Sequence, residues 1–143
     1  MIVLIHVATH LVTGLLAGAF LLGSTGLRRA MDRLPDLLQV RVRQEVIRPF
    51  RQLLLPLMLG SIAATGALVW IESRSWAAWI AFGLACAMLA MTIAVNVPVN
   101  NMILEWTPGA PADNWREHLA RWNYSDAVRL VLSITAFICT ELA

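Results

Sequence analysis

An aspartate and an arginine lie three residues apart near the start of the last apolar stretch, at Asp126 and Arg129. Residues with this spacing share one face of a helix, so the carboxylate and the guanidinium are expected to pair. Ionisable groups inside a membrane are rare, face the protein interior and mark a functional site. The other interpretation of Arg129 is a membrane anchor, because its long side chain can extend back to the bilayer surface.

Side-chain amides are concentrated around a proline in the sequence NVPVNN of residues 96–101. Pro98 removes a backbone donor, and polar groups within a membrane must find partners. We expect Asn96, Asn100 and Asn101 to converge with the carboxylate and the guanidinium in one polar pocket. Such a pocket suits a flat, hydrophobic molecule with one anionic or carbonyl end.

The segment that follows is rich in tryptophan. Trp115, Leu119 and Trp122 recur at i, i+4 and i+7, which places them on one face of a helix. This pattern predicts a short interfacial helix over residues 115–122, which lies along the membrane or across the mouth of the bundle. Tryptophans at an interface are also common membrane anchors, so both interpretations stay open.

The start of this short helix is predicted from its flanking residues. Pro108 and Pro111 are expected to break the chain, and Asn114 with Glu117 three residues later resembles a capping box.

Histidines and cysteines form a second candidate group. His6 and His10 have the i,i+4 spacing of a two-imidazole metal site. Counted at 1.5 Å per residue from the inner helix ends, His10, Cys86 and Cys139 are expected at a similar depth, roughly 18–22 Å. The simpler interpretation is that the histidines bond to backbone or water while the cysteines fill apolar space, because only Glu141 offers a carboxylate at that depth.

Composition indicates the elements that position these groups. Of 143 residues, 59% are apolar and 14% charged, against roughly 45–50% and about 25% in soluble domains, which excludes a soluble globular domain. Residues 1–27, 52–71 and 75–104 contain no Asp, Glu, Lys or Arg, and each run reaches the ~20 residues that cross a bilayer. Residues 124–143 contain three charges, and we interpret them as a fourth span that carries a buried site.

The predicted fold is therefore all-α, a single integral membrane domain built as a four-helix bundle. The runs lack the period-two alternation of barrel strands. The spans are expected at about 1–25, 50–71, 76–98 and 124–143, joined by an arginine-rich connection at 28–51 and a tryptophan-rich one at 99–123. No basic residue precedes the first apolar run, which is longer than a signal-peptide core, so residues 1–25 are expected to be a helix. The sequence contains no internal repeat, which argues against a channel or transporter. A homo-oligomer is possible.

Arginines predict the orientation. All 11 basic residues are arginines, and residues 28–51 hold most of them: Arg28, Arg29, Arg33, Arg41, Arg43, Arg48 and Arg51. The positive-inside rule puts this connection in the cytoplasm and both termini on the opposite side. We interpret the arginines as a topology signal, with the lipid bilayer as the surroundings and no nucleic acid as partner. Apolar residues between them predict an amphipathic helix at the interface.

The order of these motifs resembles the signature of a known family. NVPVN at 96–100, then Trp115, then Trp122-Asn123 followed six residues later by Arg129, is similar to the anthrone-oxygenase-like family of small four-helix membrane proteins. The resemblance implies oxidation of an anthrone- or quinol-like substrate with molecular oxygen as co-substrate and without metal or flavin. Many family members carry a histidine at the position of Asp126.

This resemblance also implies roles for individual residues. Arg129 would stabilise the oxyanion of a deprotonated substrate together with amides of Asn96, Asn100 or Asn123. A carboxylate would act as the base, Asp126 before Glu105. The residues expected to bind the substrate rings or their edges are Trp106, Trp115, Trp122 and Asn101.

Two other functions remain open on the sequence alone. One is a non-catalytic membrane module that binds a quinone-like lipid or a partner subunit in the same pocket. The other is a metal-dependent redox protein that uses His6, His10, Cys86 and Cys139 as ligands.

The arginine distribution makes the orientation testable. A reporter that is active only in the cytoplasm, fused to Ala143, is expected to give no signal, because both termini face away from the cytoplasm. A strong signal from this fusion would show that residues 124–143 do not cross the membrane.

Overall fold

The computed structural model describes residues 1–107 and 113–143, and within them the side chain of Leu37 is left aside. The expected chain breaks at Pro108 and Pro111 lie outside the described residues. Regular secondary structure in the described part is helical. The four helices are α1 (Ile2–Asp32), α2 (Asp36–Ile71), α3 (Trp76–Glu105) and α4 (Trp115–Glu141).

The helices form an antiparallel ring in which each packs on two neighbours: α1 on α2 and α4, and α3 on the same two helices. At one end, His6 Nε2 lies 3.5 Å from Glu72 Oε1, which joins the start of α1 to the end of α2. At the other end, Arg43 Nη2 lies 2.8 Å from Asp32 Oδ1. Both chain termini therefore lie at one end of the bundle, the terminal end, and most of the arginines lie at the other, the arginine-rich end.

Prolines within α2 do not interrupt it, so the predicted amphipathic helix and the second span form one continuous helix. The helix has 36 residues and includes Pro49 and Pro56. A proline has helical φ and costs the helix one hydrogen bond, and packing against two neighbouring helices compensates for this loss. At 1.5 Å per residue α2 is roughly 54 Å long, which exceeds the ~30 Å hydrocarbon core of a bilayer.

The third helix likewise continues beyond the predicted end at residue 98, as far as Glu105. A π-helical turn at Thr92–Asn96 lies immediately before Pro98 and accommodates its missing N–H. A second π-helical turn, Leu22–Leu27, lies in α1. Such turns are rare and frequently lie at functional sites.

The predicted short helix over residues 115–122 is not a separate element. It forms the first turns of α4, because neither glycine nor proline interrupts residues 115–141. Asn114 is the N-cap as expected, but its side chain makes no capping hydrogen bond, so the capping box is wrong. Its backbone carbonyl instead accepts from the Glu117 N–H at 3.0 Å.

Apolar side chains cover the outside of the bundle, whereas small polar ones occupy much of its inside. Leu11, Leu15 and Val131 are each at least 60% exposed, whereas Thr9 and Thr65 are completely buried. The helices α1, α2 and α3 are long and apolar enough to cross a membrane. This arrangement fits an integral membrane protein, and the crossing of α4 stays a prediction.

Two glycines of α1 offer a matched test of the helix packing. A Cβ atom at Gly14 would lie 3.3 Å from the ring of Phe137 on α4, whereas one at Gly18 would meet nothing within 4 Å. Gly18→Ala is expected to raise the free energy of unfolding by about 0.5–1 kcal/mol through helix propensity. Gly14→Ala should gain less or destabilise, because the ring must move. Thermal unfolding in detergent measures both, and a larger gain from Gly14→Ala would contradict this packing.

Candidate functional site

A cavity of about 280 Å³ lies between all four helices in the half of the bundle nearer the arginine-rich end. Its volume is close to the lower limit of the ~300–1,000 Å³ typical of small-molecule sites. The walls are mainly apolar, with Phe20 from α1, Phe50, Leu54 and Met58 from α2, and Ile93 from α3. The cavity can therefore enclose a small, largely hydrophobic molecule.

Arg129 is 6% exposed and forms part of the cavity wall. Its Nη2 donates to Asp126 Oδ1, and its Nη1 donates to Thr92 Oγ1 at 3.1 Å. The guanidinium carbon lies 4.8 Å from the centre of the Phe20 ring, which makes a cation–π contact. Nε has no hydrogen-bond partner among the described residues, so the group retains a donor that an additional oxygen could satisfy. Arg129 is therefore held in the interior and does not extend to the surface as an anchor.

Asp126 is held from several directions and also lines the cavity. Its Oδ1 accepts from Asn96 Nδ2 at 3.4 Å, as well as from Arg129. The Asn96 Oδ1 in turn accepts from Ser125 Oγ at 2.7 Å, and Asn96 is completely buried. The Ser24 hydroxyl donates to the backbone carbonyl of Asp126 at 3.2 Å. The predicted convergence of carboxylate, guanidinium and amide is thus present, with Asn96 behind Asp126 and away from the cavity wall.

Two further residues predicted from the sequence meet at the cavity. Trp122 donates from Nε1 to Asn100 Oδ1 at 2.7 Å, and both line the cavity together with Asn101. This bond fixes the plane of the indole, because the side-chain amide and the ring nitrogen come from different helices. One tryptophan and two amides are therefore placed where a ligand would contact them.

The remaining predicted residues of this group lie elsewhere. Trp106 and Trp115 pack in an apolar cluster with Val40 and Ile103 at the arginine-rich end, so they do not line the cavity. The continuity of α4 explains this difference, since it directs Trp115 at α2 and α3. Two other predicted groups are also absent from the cavity wall: Asn123, whose Oδ1 is buried without a partner among the described residues, and Glu105, which is exposed.

Two arginines that the sequence suggested only as topology signals lie at this site. Arg43 is 2% exposed, with its guanidinium carbon 5.6 Å from the ring centre of Trp122. Its Nε and Nη1 have no partner within the described residues. Arg51 lines the cavity directly. The sequence gives no local signal for these positions, because both arginines belong to α2 whereas Trp122 and Arg129 belong to α4.

The predicted metal ligands at the terminal end are not brought together. His10 Nε2 lies 3.0 Å from the Thr140 carbonyl, and His10 Nδ1 lies 3.8 Å from Glu141 Oε1. His6 is 6.1 Å from His10 between ring centres and faces Glu72. In the part of the chain that the structure describes, no three His, Cys, Asp or Glu side chains form a cluster that could hold a metal ion.

The two cysteines differ in depth, contrary to the expectation. Cys139 packs with Ala77 and Ala81 near the start of α3, at the level of His10. Cys86 lies about 7–8 Å further along α3 than Ala81. Cys86 is therefore nearer the arginine-rich end than Cys139 and His10.

Comparison with known proteins identifies a family. The model of a family described as anthrone oxygenase matches residues 46–139, which include the cavity residues of α2, α3 and α4. Neither a curated protein nor a solved structure matches the chain.

The ion pair beneath Trp122 can be tested against an exposed one. Asp32→Asn removes the carboxylate from the buried Arg43, so we expect a loss of about 1–2 kcal/mol in the free energy of unfolding, given that Asp32 is half-exposed. The control is Asp36→Asn, which removes a mostly exposed pair with Arg116 and should cost less than about 1 kcal/mol. Denaturation in detergent measures both, and equal losses would contradict a structural role for the Arg43 pair.

Proposed function

The chain belongs to the anthrone oxygenase family, and we propose that it is a membrane-embedded oxygenase for a hydrophobic, hydroxylated aromatic substrate such as an anthrone or a quinol. Molecular oxygen is the co-substrate in this proposal, and neither metal nor flavin takes part. The observation that carries the proposal is the buried guanidinium of Arg129 in the wall of an otherwise largely apolar cavity.

For an anthrone the reaction balances with oxygen alone. A base removes one proton from the methylene carbon, and the charge of the resulting anion is delocalised onto the carbonyl oxygen. One electron passes from this anion to O₂, and the two radicals combine to a carbon-bound hydroperoxide. Loss of the second methylene hydrogen and cleavage of the O–O bond give the new carbonyl and one water, so that anthrone and O₂ become anthraquinone and water.

Arg129 is the group that stabilises the anion in this scheme. Negative charge develops on the substrate oxygen when the proton leaves, and a guanidinium in a water-poor site lowers the energy of that state more than it would in water. Its Nε has no partner among the described residues, so a substrate oxygen would satisfy a donor that is otherwise buried. A planar guanidinium can hold Asp126 and the substrate oxygen at the same time, whereas a lysine offers a point charge.

Asp126 is the candidate base, and its two oxygens have different surroundings. Oδ1 accepts from Arg129 and Asn96, whereas Oδ2 accepts no hydrogen bond from the described residues. A lone pair on Oδ2 is therefore available for a substrate proton. Asn96 and Ser125 act as positioning residues, since they touch the carboxylate or its partner and do not line the cavity.

The aromatic rings of the substrate would lie between apolar and aromatic walls. Trp122, oriented by its bond to Asn100, offers one such surface, and Phe50 offers another. Enclosure by these walls also keeps water away from the anion and the hydroperoxide, which limits side reactions.

Four variants test this assignment with anthrone in detergent, by oxygen consumption and by quinone absorbance, after subtraction of the protein-free rate. Arg129→Gln should lower kcat by roughly 10²–10³, the usual cost of losing one oxyanion donor. Arg129→Lys should also be strongly impaired. Asp126→Asn should lower kcat more than it raises KM if Asp126 is the base. The control Arg121→Gln, at an exposed position of the same helix, should retain full activity.

The outcomes separate the functions. Full activity of Arg129→Gln would contradict the assignment of the oxyanion site. Wild-type protein that binds anthraquinone but consumes no oxygen would favour the non-catalytic binding module. Equal effects of Asp126→Asn on kcat and KM would assign Asp126 to orientation of Arg129 and leave the base to another group.

A further inference from the structure

The cavity shares one wall with a groove on the surface of α2. Ile47, Arg51 and Leu55 belong to both, and the groove also includes Arg48 and Leu104. We call this feature the lateral groove. The shared residues lie in adjacent turns of one helix, so the cavity and the lateral groove adjoin each other along α2.

Arg51 is a second arginine in the cavity wall, and its exposure and pairing differ from those of Arg129. It is exposed, and it forms no ion pair or hydrogen bond with the described residues. Arg129, by contrast, is buried and paired with Asp126. An unpaired cation beside a largely apolar cavity attracts an anionic group, and a carboxylate can accept two parallel hydrogen bonds from it.

The position of Arg51 along the bundle defines the length of a suitable ligand. Met58 Sδ lies 3.8 Å from Thr92 Oγ1, the same hydroxyl that accepts from Arg129, so Met58 marks the level of Arg129. Arg51 precedes Met58 by seven residues on α2, which corresponds to about 10 Å along the axis. Leu54 and Phe50 line the cavity in this interval. A molecule of fused aromatic rings fits such an apolar interval between two cationic ends.

We propose that Arg51 is a specificity-determining residue that binds an acidic substituent, a carboxylate or a phenolate, on the ring remote from the oxygen held by Arg129. This inference rests on the proposed function for the identity of the cavity as the substrate site. The substrate class becomes narrower: polycyclic aromatics with an acidic group at the far end. The exposed location of Arg51 at the wall shared with the lateral groove also lets it meet the acidic group before the rings enter.

A matched pair of product-like ligands tests the proposal. Anthraquinone-2-carboxylate carries the acidic group, and 2-methylanthraquinone has the same rings without it. Dissociation constants are measured by equilibrium dialysis for wild type, Arg51→Gln and Arg48→Gln in nanodiscs of zwitterionic lipid. Arg48 is the control, because it lies in the lateral groove and not in the cavity wall. Arg51→Gln should weaken binding of the carboxylate at least tenfold and change binding of the methyl compound less than twofold, whereas Arg48→Gln should change neither more than twofold.

Three results would overturn the proposal. Equal changes for the two ligands in Arg51→Gln would show that Arg51 does not contact the acidic group. The same loss in Arg48→Gln would show a general field of the arginine-rich end. The third result concerns anionic lipid. If its addition weakens carboxylate binding by wild type to the level of Arg51→Gln, the lipid competes with the ligand, which would assign Arg51 to a lipid phosphate.

Failure of the proposed function gives a different pattern. If the protein is not an oxygenase, wild type consumes no oxygen with anthrone, yet the discrimination between the two ligands by Arg51 persists. If only the specificity proposal fails, wild type still oxidises unsubstituted anthrone, but Arg51→Gln changes the binding of the two ligands equally.

Discussion

A guanidinium buried in an apolar helix bundle is the constraint on which the rest of the site depends. A charge removed from water without a partner costs several kcal/mol, so Arg129 requires a carboxylate, further acceptors or an aromatic face. The chain supplies all three with Asp126, Thr92 and Phe20. Three helices thus supply contacts to one guanidinium, and these contacts fix the rotation of the helices relative to each other.

The irregular parts of the helices follow from this requirement. Thr92 and Asn96 lie at the two ends of one π-helical turn, and the wider turn lets both side chains reach α4, one to Arg129 and one to Asp126. The π-helical turn of α1 contains Ser24, whose hydroxyl bonds to the backbone of Asp126. Both departures from regular helix therefore lie against the same ion pair. The side chain of Asn96 makes hydrogen bonds through both its oxygen and its nitrogen. Arg129 and Arg43, in contrast, each keep buried N–H donors without partners among the described residues, and these donors lie at or behind the cavity.

Patterns within one helix could be predicted from the sequence, whereas most contacts between helices could not. The i,i+3 spacing of Asp126 and Arg129 predicted their ion pair, which the structure confirms. The nearby amides also indicated the polar pocket. Trp106 and Trp115 are the same residue type as Trp122, yet of the three only Trp122 lines the cavity. For Trp115 and Trp122, the rotation of the continuous α4 decides which of them faces the cavity.

Proline caused most of the errors in helix bounds. Pro49 precedes the predicted start of the second span and Pro98 is the predicted end of the third, but each lies inside a continuous helix. Tertiary packing compensates for one missing hydrogen bond, and that compensation has no local signal in the sequence. For the same reason Arg43 and Arg51 read as loop arginines, although they project from α2 towards the site.

The proposed role of Arg129 is to hold an oxygen atom of a ligand inside the bundle. An experimental structure of the protein with a bound hydroxyanthraquinone tests it most directly. We expect the ligand rings between Phe50 and Trp122, with one ligand oxygen within hydrogen-bond distance of the Arg129 guanidinium and the Asp126 contact retained. A ligand found only on the outer surface, with the Arg129 guanidinium bonded to Asp126 and Thr92 alone, would show that Arg129 does not bind a ligand oxygen.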